Sequence, residues 1–156
     1  DLEQHGLSMD TRVGITFTPE LTFELFAQPL LASGAYSRFK EFEAPRTRRT
    51  TDFTADQVTP TTADDGSPAY RLDPDLDPET AAFTFRNPDF NLRSLRGNAV
   101  LRWEYLPGST IFVVWQQSRS GREPFGDMEM TRDLRGMLGE ESDDVLMVKA
   151  TFWVGK

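Results

Sequence analysis

The sequence predicts a mostly β chain. About five long, antiparallel, amphipathic strands would form part of a transmembrane β-barrel, with two long extracellular loops and one short helix. Three observations predict this. Apolar and polar residues alternate with period two along several stretches, so each would carry one apolar and one polar face. The apolar faces end in aromatic residues, as barrel strands do at the two membrane interfaces. The connections run short (Pro19-Glu20), long (34–89), short (Pro107-Gly108), long (118–144), the alternation of tight turns and large loops seen in membrane barrels.

The first strand is expected over Leu7–Thr18, with Met9, Val13, Ile15 and Phe17 against Asp10, Arg12 and Thr16. Pro19-Glu20 breaks it, because proline cannot donate to a ladder. The second spans Leu21–Ser33, with Leu21, Phe23, Leu25 and Ala27 against Thr22, Glu24 and Gln28; Phe26 and Leu30 depart from the alternation. The third and fourth flank Pro107-Gly108 as a hairpin. Ala99, Leu101, Trp103 and Tyr105 oppose Asn98, Arg102 and Glu104 before the turn. Ile111, Val113 and Trp115 alternate with Thr110 and Gln116 after it. The fifth, Val145–Gly155, sets Leu146, Val148, Ala150, Phe152 and Val154 against Lys149, Thr151 and Trp153.

The two long connections differ. Residues 34–89 read mainly as loop, dominated by Pro, Asp, Thr and Gly, with Tyr36–Phe42 and Phe83–Phe85 as a candidate extra pair of short strands. Within 118–144, Met130, Leu134, Met137 and Leu138 follow helical spacing, with Asp127 or Thr131 as candidate caps and Gly139 at the end. Residues 1–156 are expected to be a single β domain. An odd number of strands does not complete a bacterial barrel of the even-numbered type, so this would be the C-terminal part of a larger one.

Composition excludes several classes. The net charge of −8 argues against a nucleic-acid partner. The absence of cysteine excludes a disulfide framework and thiol chemistry. No run of ~18 apolar residues provides a transmembrane helix. No charged segment followed by an apolar one opens the sequence, so no signal peptide is expected within it. The only histidine, His5, has no partner motif, and no nucleophile elbow or phosphate loop is present. With 25 acidic residues, glycosidase-like carboxylate pairs arise by chance. The expectation is a non-enzyme.

The segments NPDFNLRSLRGNAVLRWEYLPGSTIFVVWQQSR (Asn87 to Arg119), FTPELTFELFAQPLLASGAYSRFKEF (Phe17 to Phe42) and the closing LMVKATFWVG resemble the C-terminal barrel of an uncharacterised bacterial family, domain of unknown function 5916. The resemblance touches nearly the whole chain. It implies an outer-membrane location and a link to glycan binding or uptake, because members typically carry an N-terminal carbohydrate-binding-like domain. It implies no catalytic residues.

The candidate site residues follow from the two faces. Phe17, Phe23, Trp103, Tyr105, Trp115 and Phe152 are expected to face lipid, with the alternative that they form the core of a soluble sandwich. Arg12, Glu24, Arg102, Glu104 and Lys149 are expected to face a polar lumen, as an ion-pair network or along a polar path. Asp73, Asp75, Asp77 and Glu79 offer hard oxygen ligands suited to calcium, set against the plainer reading of an acidic solvated loop; no other cofactor is expected. The Arg46, Arg48 and Arg49 cluster is a candidate contact for anionic lipopolysaccharide, or a solvated turn. Expected partners are outer-membrane lipid, upstream strands of the same barrel, and a glycan. The competing functional reading is a soluble antiparallel β domain that binds a ligand, carbohydrate-binding-like. A third, a hydrolase using loop carboxylates, has no sequence feature in its favour.

Overall fold

The computed structural model describes residues 1–155 and is mostly β, with antiparallel sheets and one short helix. Its largest sheet contains β1 (Leu2–Ser8), β2 (Thr11–Thr18), β3 (Leu21–Tyr36), and three later strands. Between β3 and those strands come β4 (Lys40–Phe42), β5 (Thr50–Asp52), β6 (Val58–Thr62), β7 (Pro68–Leu72) and β8 (Phe83–Arg86). Then follow β9 (Phe90–Leu106), β10 (Ser109–Glu123), helix α1 (Met130–Gly139) and β11 (Ser142–Thr151). In space the order is β1-β3-β9-β10-β11, with β2 also on β3. Among the described residues the outer strands do not pair with each other, so the sheet is open and does not close a barrel by itself.

The chain divides into two compact units. One comprises Gly6–Ala32, Leu92–Arg122 and the residues from Met128 onward; it holds most of the long strands and α1. The other comprises Asp1–His5, Ser33–Asn91 and Glu123–Asp127.

In the long-stranded unit, the expected first strand is interrupted. Thr11 pairs with Ala27, which brings Met9 opposite Pro29. Pro29 has no N–H to give, so the ladder stops there and only the Met9 N–H to Pro29 carbonyl bond remains, at 3.2 Å. Gln28 Nε2 donates to Asp10 Oδ1 across the gap at 2.8 Å. A register shift between Thr16 and Thr18 leaves Phe17 as the extra residue of a bulge beside the first tight turn. At the second turn, Pro107 fixes its own φ and Gly108 takes φ +75°, a conformation that favours glycine. The Gly108 N–H donates to Glu104 Oε1 at 3.0 Å. The Glu104 N–H donates to the Glu20 carbonyl at 2.8 Å, so both tight turns lie at one end of the sheet. Trp153 reaches the same end, donating its N–H to Ser109 Oγ at 3.0 Å.

Helix α1 lies toward the opposite strand ends. Its cap is neither Asp127 nor Thr131: the Glu129 carboxylate accepts from the N–H groups of Thr131 and Arg132 at 3.0 and 2.6 Å. Its apolar stripe packs only at Met137. Met130, Leu134 and Leu138 stay exposed, while Asp133 and Met137 are buried. The helix comes close enough to β9 that a Cβ at Gly136 would strike the Arg93 guanidinium, which pairs with Glu140 at 2.9 Å. An ion pair with little water around it, and not a row of leucines, ties this helix to the sheet.

The other unit corrects the expectation of a loop over 34–89. β4 pairs with β5 as a hairpin, and β6, β7 and β8 form a three-stranded antiparallel sheet. The suggested pairing of 36–42 with 83–85 does not occur, since β4 takes β5 and β8 takes β7. Phe39 nevertheless meets Phe85 and Tyr70 ring to ring, each at 5.2 Å between centroids. Leu72 is buried on the same face of β7 as Tyr70, and with the rings it gives the unit a small core of its own; Ala69 is buried on the other face. Close backbone contact helps: a Cβ on Gly126 would collide with Ala35.

Candidate functional site

The surface most in need of explanation is the apolar face of the long-stranded unit. Directly paired residues share a face, so Val13 and Leu25 lie together, as do Ile15 and Phe23. At the far strands, Ile111 pairs with Ala150, Val113 with Val148, and Trp115 with Leu146. On β9, Trp103 stacks edge-on against Tyr105 at 6.1 Å, and Tyr105 against Phe152 at 6.3 Å. These contacts carry the apolar face of β9 onto that of β11.

This face is uncovered. Trp103 is 48 % exposed, Leu146 68 %, Val148 62 % and Phe152 75 %. Phe17 is exposed in its bulge and Phe23 is half-buried. Trp115 donates its indole N–H to Asp144 Oδ1 at 2.9 Å, so this ring has an apolar body and an anchored polar tip. Tyr105, Trp103 and Phe152 gather near the tight turns, whereas Trp115 stands several residues farther along β10. Rings therefore border the aliphatic positions at both ends.

The opposite face is mainly polar on β2, β3 and β9, but on β10 and β11 it carries Phe112, Val114, Val145 and Met147. Arg102 pairs with Glu104 at 3.2 Å. Arg12 lies over the Phe26 ring, 5.3 Å from its centroid. Glu24 is opposite Gly14, and Lys149 is opposite Phe112. Among these five expected lumen residues only Arg102 and Glu104 form an ion pair, so they do not join into one network. Arg12, Glu24, Phe26 and Asn98 instead line a shared hollow of about 410 Å³. Sequence reading missed Phe26 and Asn98. The signal at Phe26 was its break in the alternation, but its meaning depends on the register that sets it against Arg12.

The candidate calcium residues do not converge: no group of three or more carboxylates or histidines able to hold a metal occurs among the described residues. They organise their own loop. Asp73 accepts from the Leu76 N–H at 3.1 Å, Asp75 from Asp77 at 3.3 Å, and Asp77 from Glu79 at 2.9 Å. The Asp77 N–H and the Thr80 hydroxyl, both donating to Asp75, hold its carboxyl below the usual carboxylate range. Asp65 is lowered in the same way, by the hydroxyl and N–H of Ser67 and then by Arg86.

No helix among the described residues is long and apolar enough to cross a membrane, a statement that leaves β-strand crossing open. Comparison with known proteins finds no matching family, no similar curated protein and no similar solved structure.

Proposed function

We propose that this chain is a non-enzymatic wall segment of a bacterial outer-membrane β-barrel, completed by strands outside the described sheet. The observation that carries the reading is the uncovered apolar face, bordered by aromatic rings and backed on β2, β3 and β9 by a mainly polar face. In water such a face would be costly to leave open, at ~25 cal/mol per Å² of apolar surface. In a bilayer it is the outer surface of a barrel.

Two further features support it. β9 has 17 residues and β10 has 15, beyond the 9–11 that a tilted strand needs to cross a bilayer. β11 is exposed along its whole length and carries no proline, and between Asp144 and Lys149 its residues 145–148 have no charge to protect that free edge from further pairing. In a membrane, that edge must be paired, because no water is available to its backbone groups. The likeness to the barrel region of the domain of unknown function 5916 family points the same way and suggests a glycan-linked role for the complete barrel.

The test is partition of the expressed chain between aqueous buffer and detergent, with circular dichroism on each fraction. The proposal expects a β-rich, dispersed protein only in detergent. A monodisperse β-rich protein in plain buffer would overturn it and leave the soluble ligand-binding domain.

A further inference from the structure

We infer that the hollow on the polar face binds a small zwitterion of the α-amino-acid class. Arg12 and Glu24 are diagonal neighbours across β2 and β3, since Arg12 pairs with Phe26 and Glu24 with Gly14. Diagonal positions lie roughly 7–8 Å apart, within reach of long side chains of opposite charge. These two do not form an ion pair with each other. Arg12 is drawn over the Phe26 ring instead, 5.3 Å from its centroid. A guanidinium lying over a ring still presents its edge donors, which suit a carboxylate bidentately.

The acceptors stand on the same hollow. Glu24 offers a carboxylate, and Asn98 Oδ1 is buried with no hydrogen-bond partner. A buried acceptor of this kind calls for a donor. One side of the site therefore supplies donors and positive charge, the other acceptors and negative charge. An α-amino acid carries the complementary set on adjacent carbons. Its carboxylate would meet Arg12, and its ammonium would meet Glu24 and Asn98. An apolar side chain would rest against Phe26 and Val100, which also line the hollow. The volume of about 410 Å³ accommodates such a molecule with room for bound water. The inference does not depend on whether the other face of the sheet meets lipid.

Leucine, leucine methyl ester and N-acetyl-leucine are the probes, titrated calorimetrically into the full chain in whichever medium keeps it monodisperse. The ester lacks the carboxylate charge and the acetyl derivative lacks the ammonium. Leucine should bind at least ten times more tightly than either. Arg12→Gln should abolish the preference over the ester, and Glu24→Gln the preference over the acetyl form. Glu24→Gln is isosteric and Arg12→Gln shortens a side chain on an open face, and circular dichroism checks that the fold persists in both. Equal binding of the three probes, no binding of leucine at millimolar concentration, or tighter binding of glucose than of leucine would each overturn the proposal.

Discussion

The two units of this chain handle their apolar side chains in opposite ways. The unit built mainly from residues 33–91 turns Phe39, Tyr70 and Phe85 toward one another and buries Leu72 on the same face of β7, so its short strands carry a small core with them. The long-stranded unit directs Val113, Trp115, Leu146, Val148 and Phe152 outward, and nothing in the unit covers them. The buried groups of that unit include Arg93 and Asp133, which belong to a polar attachment of its helix. The first unit obeys the rule of a water-soluble fold, with apolar groups in contact with each other. The second leaves that face for something else to cover, which in our proposal is the bilayer.

The sharpest way to break that contrast is to charge the outward face. Val113 sits opposite Val148 on the apolar side, and Val113→Arg should cost about 2–4 kcal/mol if it lies near the bilayer midplane. Arg102→Gln on the other face should cost under about 1 kcal/mol, since it removes one partly exposed pair with Glu104. Heat-modifiable gel migration and urea titration in lipid vesicles would read both. Equal effects would mean that the two faces do not differ in their surroundings.

The small unit should fail for the opposite reason. Phe39→Ala removes the ring that touches both Tyr70 and Phe85. We expect about 2 kcal/mol, less than the ~3–5 kcal/mol of a fully buried phenylalanine because this ring is only half-buried. Faster proteolysis within 37–89, with the long strands still protected, would show that the loop unit has its own cohesion. Unchanged protection there would contradict an independent core.

A smaller effect follows from pH. Burial, and then the charge of Asp89, raise the Tyr70 phenol above its ordinary value. Ionised Tyr70 is thus disfavoured in the folded unit. Its contribution to stability is whole below about pH 10 and is lost as pH rises through the raised folded value. Wild type should therefore lose stability relative to Tyr70→Phe above about pH 10, read as a drift between their urea midpoints. A constant difference across that range would remove Tyr70 from the core.

Much of the sheet was legible because side-chain alternation is a local signal. The hairpin around Pro107-Gly108 and the faces of the paired strands follow directly from period two. What escaped depended on pairing. The break at Met9-Asp10 arises from Pro29, which is remote in sequence and adjacent only once β2 and β3 are in register. The strands within 34–89 are short, with β4 and β5 only three residues each, too brief to display a period amid turn residues. Helix α1 was visible from its spacing, yet of the apolar stripe that revealed it only Met137 is buried, beside Asp133. The Arg93–Glu140 pair could not be read at all, since it joins residues 47 apart through a contact set by Gly136. Phe26 looked like a defect in a pattern and is instead the platform for Arg12.

The most direct measurement is tryptophan quenching by phospholipids brominated along their acyl chains, on a Trp153→Phe chain so that only Trp103 and Trp115 report. The account predicts strong quenching by the brominated lipid and little by acrylamide in the water phase, because both rings lie on the face assigned to the bilayer. Acrylamide quenching with no effect of brominated lipid would place that face in water and contradict the barrel-wall reading.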